Sequence, residues 1–109
     1  MGFLEDLITD SVMGFLEEFS ADDVEYMIQE NIDIEDLYSE DMKDDLLEIF
    51  EKIRPYLDEE SINKVTLEDM LKWTLHNRPD LYEVLSSPRG RVWLNRQANK
   101  VKKLLISLL

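Results

Sequence analysis

The sequence predicts an all-α fold, a compact bundle of about five to six helices with long first and last helices. Only three Gly and three Pro interrupt 109 residues, and Leu, Met and the acidic residues outnumber the β-branched Val and Ile. Apolar residues recur at spacings of three and four along most of the chain. Because this length is close to that of a common single domain, we expect one helical domain over residues 1–109.

Two helices are predicted before residue 32. An apolar stripe predicts the first from about Phe3 to Phe19, and Ser20 is placed to cap a second that ends near Asn31. The stripe of the first helix consists of Leu4, Leu7, Ile8, Val12, Phe15, Leu16 and Phe19.

A third helix is predicted to begin at Ser39, after a connector or single turn over residues 32–38. Pro55 ends or kinks it near Arg54, and the polar residues 58–64 have room for one short turn. The side chains expected to face inward from this third helix are Met42, Leu46, Ile49, Phe50 and Ile53.

Three helices are predicted in the remainder of the chain. Thr66 begins one that reaches about Asn77, and Pro79 fits the first turn of a short one. Ser87 followed by Pro88 combines a capping residue with proline at the first helical position, which predicts the start of the last helix. Its apolar seam consists of Leu94, Ala98, Val101, Leu105 and Leu108.

Charge divides the chain into an acidic half and a neutral-to-basic half. Residues 1–60 carry 21 acidic and 3 basic side chains, whereas residues 61–109 carry 4 acidic and 9 basic ones, which together give the net charge of −13. Within the last helix, six cations and no anion occur between Arg89 and Lys103. The strongest positive potential is therefore predicted on the last helix.

The last helix supplies the candidate binding residues for an anion or a partner. Arg89 and Arg91 lie in its first turn, where the helix dipole disfavours cations, and Gly90 between them would let an anion approach free backbone N–H groups. An alternative is that Ser87 and the acidic half already satisfy these groups. The candidate residues are Arg89, Gly90, Arg91, Arg96, Lys100, Lys102 and Lys103.

No residue set in the sequence specifies a reaction, a metal or a cofactor. Cysteine is absent, which excludes disulfides, iron–sulfur clusters and thiol catalysis, and His76 is the single histidine. Residues 31–42 do not match a calcium loop, because Asp36 replaces the turn glycine and Met42 replaces the bidentate glutamate. Trp73 and Trp93 lie on apolar helix faces and are expected to anchor the core.

We therefore expect a non-enzymatic helical protein that binds or regulates a protein partner through charge-complementary helix faces. A second hypothesis is a role with nucleic acid, in which the basic last helix binds it or the acidic surface mimics its phosphates. We expect no cofactor and no membrane association, and a homo-oligomer is left open. With no signal peptide or membrane span in the sequence, the expected location is the cytoplasm.

Overall fold

A computed structural model describes the backbone of residues 3–37 and 40–109, and the side chains of residues 6–36, 44–45 and 47–109. Within these ranges the chain forms seven α-helices and no strand. The helices are α1 (Phe3–Met13), α2 (Ala21–Glu30), α3 (Glu40–Ile53), α4 (Glu59–Asn63), α5 (Leu67–Asn77), α6 (Pro79–Ser86) and α7 (Pro88–Leu108). Short 3-10 helices span Gly14–Glu18, Ile34–Leu37 and Arg54–Tyr56.

The predicted all-α class and long last helix are confirmed, since α7 is 21 residues long. The first helix is shorter than predicted, because α1 ends at Met13 and a tighter 3-10 helix follows from Gly14. Glycine has the lowest helix propensity after proline, which explains why the regular helix ends there. Arg78 holds the end of the 3-10 segment by donating to the carbonyl oxygens of Leu16 (2.7 Å) and Phe19 (2.8 Å).

Local capping chemistry sets most helix starts where the sequence predicts them. Ser20 and Thr66 each accept a hydrogen bond from the backbone of the Asp three residues later, and that Asp side chain accepts one in return. Asp58 caps α4, which occupies the predicted short turn, and Ser87 caps α7. At Asn31 the chain turns out of α2 with a left-handed φ of 56°.

The third helix is confirmed at its end and revised on one face. It ends at Ile53, and Pro55 lies in the short 3-10 helix that follows. Phe50 is buried as predicted, but Ile49 is 46% exposed. Two other predictions, the Ser39 cap and the inward orientation of Met42 and Leu46, lie outside the residues and side chains that the structure describes.

The core lies where α7 and α5 pack against α1, α2 and α6. Both tryptophans are core residues, as predicted, with Trp73 8% and Trp93 2% exposed. Each also uses its indole N–H, Trp93 as donor to the carbonyl oxygen of Ile32 (2.8 Å) and Trp73 as donor to the carboxylate of Asp10. These two hydrogen bonds tie the acidic half of the chain to the second half.

Candidate functional site

The first turn of α7 packs tightly against α6. Gly90 is buried, and a Cβ atom there would overlap the carbonyl oxygen of Val84 and lie 2.9 Å from Leu85 Cα. Gly90 donates its backbone N–H to Ser87 Oγ (3.1 Å), and that hydroxyl donates to the Val84 carbonyl oxygen (2.7 Å). The side of Gly90 on which the sequence predicts an anion therefore faces α6. The Gly90 N–H is not free for an anion, because it donates to Ser87 Oγ.

Arg89 and Arg91 do not share a side of α7 with each other or with Gly90. Successive residues of a helix are about 100° apart around its axis, so the two arginines point about 160° apart, on nearly opposite sides of α7. Arg91 turns back and donates Nε–H to the Ser86 carbonyl oxygen (2.8 Å). Arg89 is exposed and has no ion pair with the described residues.

The middle of α7 carries the cations that the structure pairs with the acidic half. Arg96 donates Nε–H to Asp33 Oδ1 (2.9 Å) and another N–H to Asn31 Oδ1 (2.8 Å). Lys100, one turn further along, reaches Asp33 Oδ2 (3.1 Å) and Glu35 Oε1 (2.5 Å). We call these five residues, together with Gln97, the α7 charge network.

Gln97 forms the buried part of the α7 charge network. Its side chain is fully buried, and its carbonyl oxygen accepts the backbone N–H of Ile34 (3.0 Å) while its amide donates to Asp33 Oδ1 (2.8 Å). Donation by Gln97, followed by the nearby Lys100 and Arg96, lowers the pKa of Asp33 below its ordinary value. Hydrogen bonds to Glu35 and Asp33 raise the pKa of Lys100 in turn.

The last two candidate cations occupy different environments. Lys102 is buried and donates to the Val65 carbonyl oxygen (2.6 Å), and this burial lowers its pKa while Asp69 acts in the opposite direction. Lys103 is exposed and has no ion pair with the described residues. Of the seven candidates, the structure brings only Arg96 and Lys100 together on one set of partners.

Sequence reasoning did not identify Asn31, Asp33 and Gln97 as partners of the basic helix. A signal was present, because Arg96 and Lys100 are four residues apart and therefore share a helix face. Their partners lie more than 60 residues away in the chain, however, and an acidic cluster alone does not show which carboxylates face that helix. The spacing of Arg96 and Lys100 is a local feature of the sequence. Their pairing depends on how the segment over residues 31–35, which follows α2, packs against α7.

The sequence alone did not predict the groove that lies between α1, α3 and the end of α7. This depression of about 220 Å³ is bordered by Gly14 and by aliphatic side chains, three of them 40–46% exposed. The side chains that define what we call the apolar groove are Leu47, Ile49, Phe50, Leu104, Leu105 and Leu108. A Cβ atom built on Gly14 would contact nothing within 4 Å, so this side of the groove is open.

One end of the apolar groove continues into an acidic depression of about 300 Å³. The two share Asp10, Gly14 and Ile49, so they form one continuous surface feature. Among the described residues that line either one, none is Lys, Arg or His. The carboxylates in this acidic end are those of Asp10, Glu17, Glu18 and Asp45.

A larger cleft of about 750 Å³ lies between α1, α4 and α5. Its lining mixes acidic side chains such as Asp6 with Lys64, Lys72 and the exposed His76. His76 forms no ion pair with the described residues, and no group of three or more His, Asp or Glu side chains in the described part of the chain is arranged to hold a metal ion. The mixed lining does not select one charge type of ligand.

Comparison of the chain with protein-family models, with curated proteins and with solved structures finds no match. Among the helices of the described ranges, none combines the length and the apolar character required to cross a membrane.

Proposed function

We propose that this chain is a non-enzymatic interaction module that recognises a basic segment of a protein partner through its acidic helix faces. The observation that carries this proposal is the α7 charge network. Because Arg96 and Lys100 are already bound by residues of the acidic half, they are occupied, and the other carboxylates of that half are left for an external cation.

Exposed carboxylates of the acidic half that form no ion pair with the described residues lie on α3 and on the 3-10 helix that follows α1, as well as on α2. The clearest examples are Glu17, Glu18, Asp44, Asp45 and Glu48. Such a surface steers a basic partner to the protein and rejects acidic ones, so it supplies specificity and association rate more than raw affinity.

A role with nucleic acid is the second candidate, and the same carboxylates support only its mimicry form. Direct binding would rely on Arg89, Arg91 and Lys103, because Arg96 and Lys100 are engaged by carboxylates and Lys102 is buried. Arg89 and Lys103 are 14 residues apart on one helix, which separates them by about 21 Å. Few phosphates could be contacted by so sparse a set.

Two matched helical peptides and a labelled DNA duplex test the proposed function. One peptide has a leucine stripe with lysines on its flanks, and the other has the same stripe with glutamates. We expect the purified chain to bind the lysine peptide with an affinity that falls as salt is raised, and to bind neither the glutamate peptide nor the duplex. Equal binding of both peptides, or binding of the duplex alone, would overturn the proposal.

A further inference from the structure

We propose that the apolar groove, with its acidic end, is the docking site for one amphipathic helix of a protein partner, apolar on one face and basic along its flank. This inference rests on the proposed function and names the surface and the partner class.

The exposed walls of the groove are aliphatic side chains that a folded chain would ordinarily bury. Leu47, Ile49 and Leu104 are 41%, 46% and 40% exposed, and they border the same depression from α3 and from α7. Isolated exposed leucines need no explanation, but a contiguous set around a concave surface is characteristic of an interaction site. Phe50 closes the floor and is only 1% exposed.

The shape of the groove favours side chains of a helix over an extended peptide. The apolar groove of about 220 Å³ continues into the acidic depression of about 300 Å³, so together they form a trough rather than one enclosed cavity. An extended peptide usually pairs with a sheet edge, and the described residues form no strand. A trough between helices with aliphatic walls suits the apolar stripe of a partner helix, whose side chains recur every three or four residues.

Charge selects the flank of the partner helix. Asp10, which accepts the Trp73 N–H, borders both depressions, and Asp45 borders the acidic end; none of the described lining residues is a cation. A lysine or arginine on the docked helix would meet these carboxylates beside an apolar contact that excludes water, where charge pairs are stronger than on an open surface. A partner with an acidic flank would be repelled.

A second copy of the chain and a lipid surface fit the groove less well. Each copy carries a net charge of −13, so two copies repel one another, and the acidic half opposes approach to an anionic membrane. The basic amphipathic helix is the occupant that satisfies both the aliphatic walls and the carboxylates.

Gly14 provides the sharpest test, because it borders the groove and there is space for a side chain at this position. Gly14→Leu projects into the groove from a position where a Cβ meets nothing within 4 Å. We expect it to weaken binding of the lysine peptide by at least about tenfold while the unfolding transition of the chain is retained. Leu104→Ser, which removes one exposed wall, is expected to weaken binding by about tenfold.

Matched controls separate the groove from the rest of the surface. Val92→Ser removes an exposed apolar side chain from the same helix outside the groove, and we expect it to leave the affinity unchanged. Asp45→Asn is compared with Glu83→Gln on α6, since both remove one negative charge from the surface. Asp45→Asn should weaken binding by about threefold at low salt, and Glu83→Gln by less.

The outcomes distinguish this inference from the proposed function. If the lysine peptide binds the parent chain, but Gly14→Leu and Leu104→Ser bind it as well as Val92→Ser does, the groove inference is overturned and the proposed function stands. The groove inference also fails if a lysine peptide of scrambled order, with no apolar stripe, binds equally well. If no basic peptide binds the parent chain, both fail. Self-association of the parent chain that Gly14→Leu abolishes would identify a second copy as the occupant and would also overturn the inference.

Discussion

The two ends of α7 differ in how completely they are packed. From Pro88 to Lys100 the inner face of the helix is packed against its neighbours, with Gly90 in contact with α6 and Gln97 buried between Asp33 and the backbone of Ile34. From Val101 to Leu108 the same helix borders the apolar groove, where Leu104 remains 40% exposed.

This difference separates residues that stabilise the fold from residues that are free to bind. Buried polar groups gain stability only when they are fully paired, and no buried side-chain polar atom in the described part of the chain lacks a partner. Around the groove, by contrast, the aliphatic side chains of Leu47, Ile49 and Leu104 stay partly exposed, whereas other leucines and isoleucines of the chain are buried in the core. Mutation of the buried residues of α7 should therefore change stability, and mutation of the exposed side chains that line the groove should change binding.

The largest expected effect contrasts the buried Gly90 with Gly14 beside the apolar groove. Gly90→Ala forces a methyl group into the Val84 carbonyl oxygen, so we expect it to lower the free energy of unfolding by about 3 kcal/mol. Gly14→Ala meets open space and restricts the unfolded chain, so it should raise that free energy by up to about 1 kcal/mol. Chemical denaturation of both variants provides the measurement. Equal effects would show that α6 and α7 are not closely packed at Gly90.

A somewhat smaller loss is expected when the buried amide of the α7 charge network is removed. Gln97→Met keeps a side chain of similar length but leaves the Ile34 N–H without an acceptor and takes a donor from Asp33. We expect the free energy of unfolding to fall by about 2 kcal/mol, the cost of an unsatisfied buried polar group. Gln29→Met on the exposed face of α2 serves as the control and should change stability by less than about 0.5 kcal/mol.

The sequence was sufficient for features that depend on neighbouring residues and insufficient for those that depend on packing. Ser20, Thr66 and Ser87 were predicted as helix caps because a cap bonds a backbone group only three residues away. The end of α1 at Met13 also depends on a neighbouring residue, Gly14. It was not predicted, because the apolar stripe continues past Gly14.

The binding surface depends on how helices are placed relative to one another. Ile49 continues the inward pattern of α3, but Phe50 is buried in the core and Ile53 packs against it, whereas Ile49 is left on the groove wall. Leu75 on α5 is likewise an aliphatic side chain that is left 50% exposed. Periodicity predicts which residues share a face, whereas neighbouring helices decide how much of that face is covered.

Acid should lower the stability of the chain through Asp33. Hydrogen bonds from Gln97, and then the charges of Lys100 and Arg96, hold the folded-state pKa of Asp33 below its ordinary value of 3.8, so the unfolded chain takes up the proton first. Its contribution to stability is present above that ordinary pKa and is lost as pH falls through the lowered one. In denaturation series from neutral pH to about pH 3, the stability difference between the parent chain and Asp33→Asn should therefore shrink. A difference that stays constant over this pH range would contradict this role.

Lys102 should act with the opposite dependence on pH. Burial lowers its folded-state pKa below 10.5, with Asp69 opposing the shift, so the folded chain releases the proton first as pH rises. Stability of the parent chain should accordingly gain from Lys102 as pH rises towards 10.5. Lys102→Met removes the buried ammonium group and should flatten that part of the stability curve relative to the parent chain. If both curves have the same slope, the Lys102 ammonium is not desolvated in the fold.

The smallest change in the free energy of unfolding is expected for substitution of Arg89. Comparison with Arg96 tests whether unpaired cations of α7 contribute less to stability than paired ones. Arg89 lies in the first turn, where the helix dipole disfavours a cation, while the net negative charge of the chain favours it. These two contributions oppose each other, so Arg89→Gln should change the free energy of unfolding by less than about 0.5 kcal/mol. Arg96→Gln, which loses the hydrogen bonds to Asp33 and Asn31, should cost about 1 kcal/mol. Denaturation at low and high salt checks both values, and a loss at Arg89 as large as that at Arg96 would mean that the first turn of α7 also takes part in pairing the two halves of the chain.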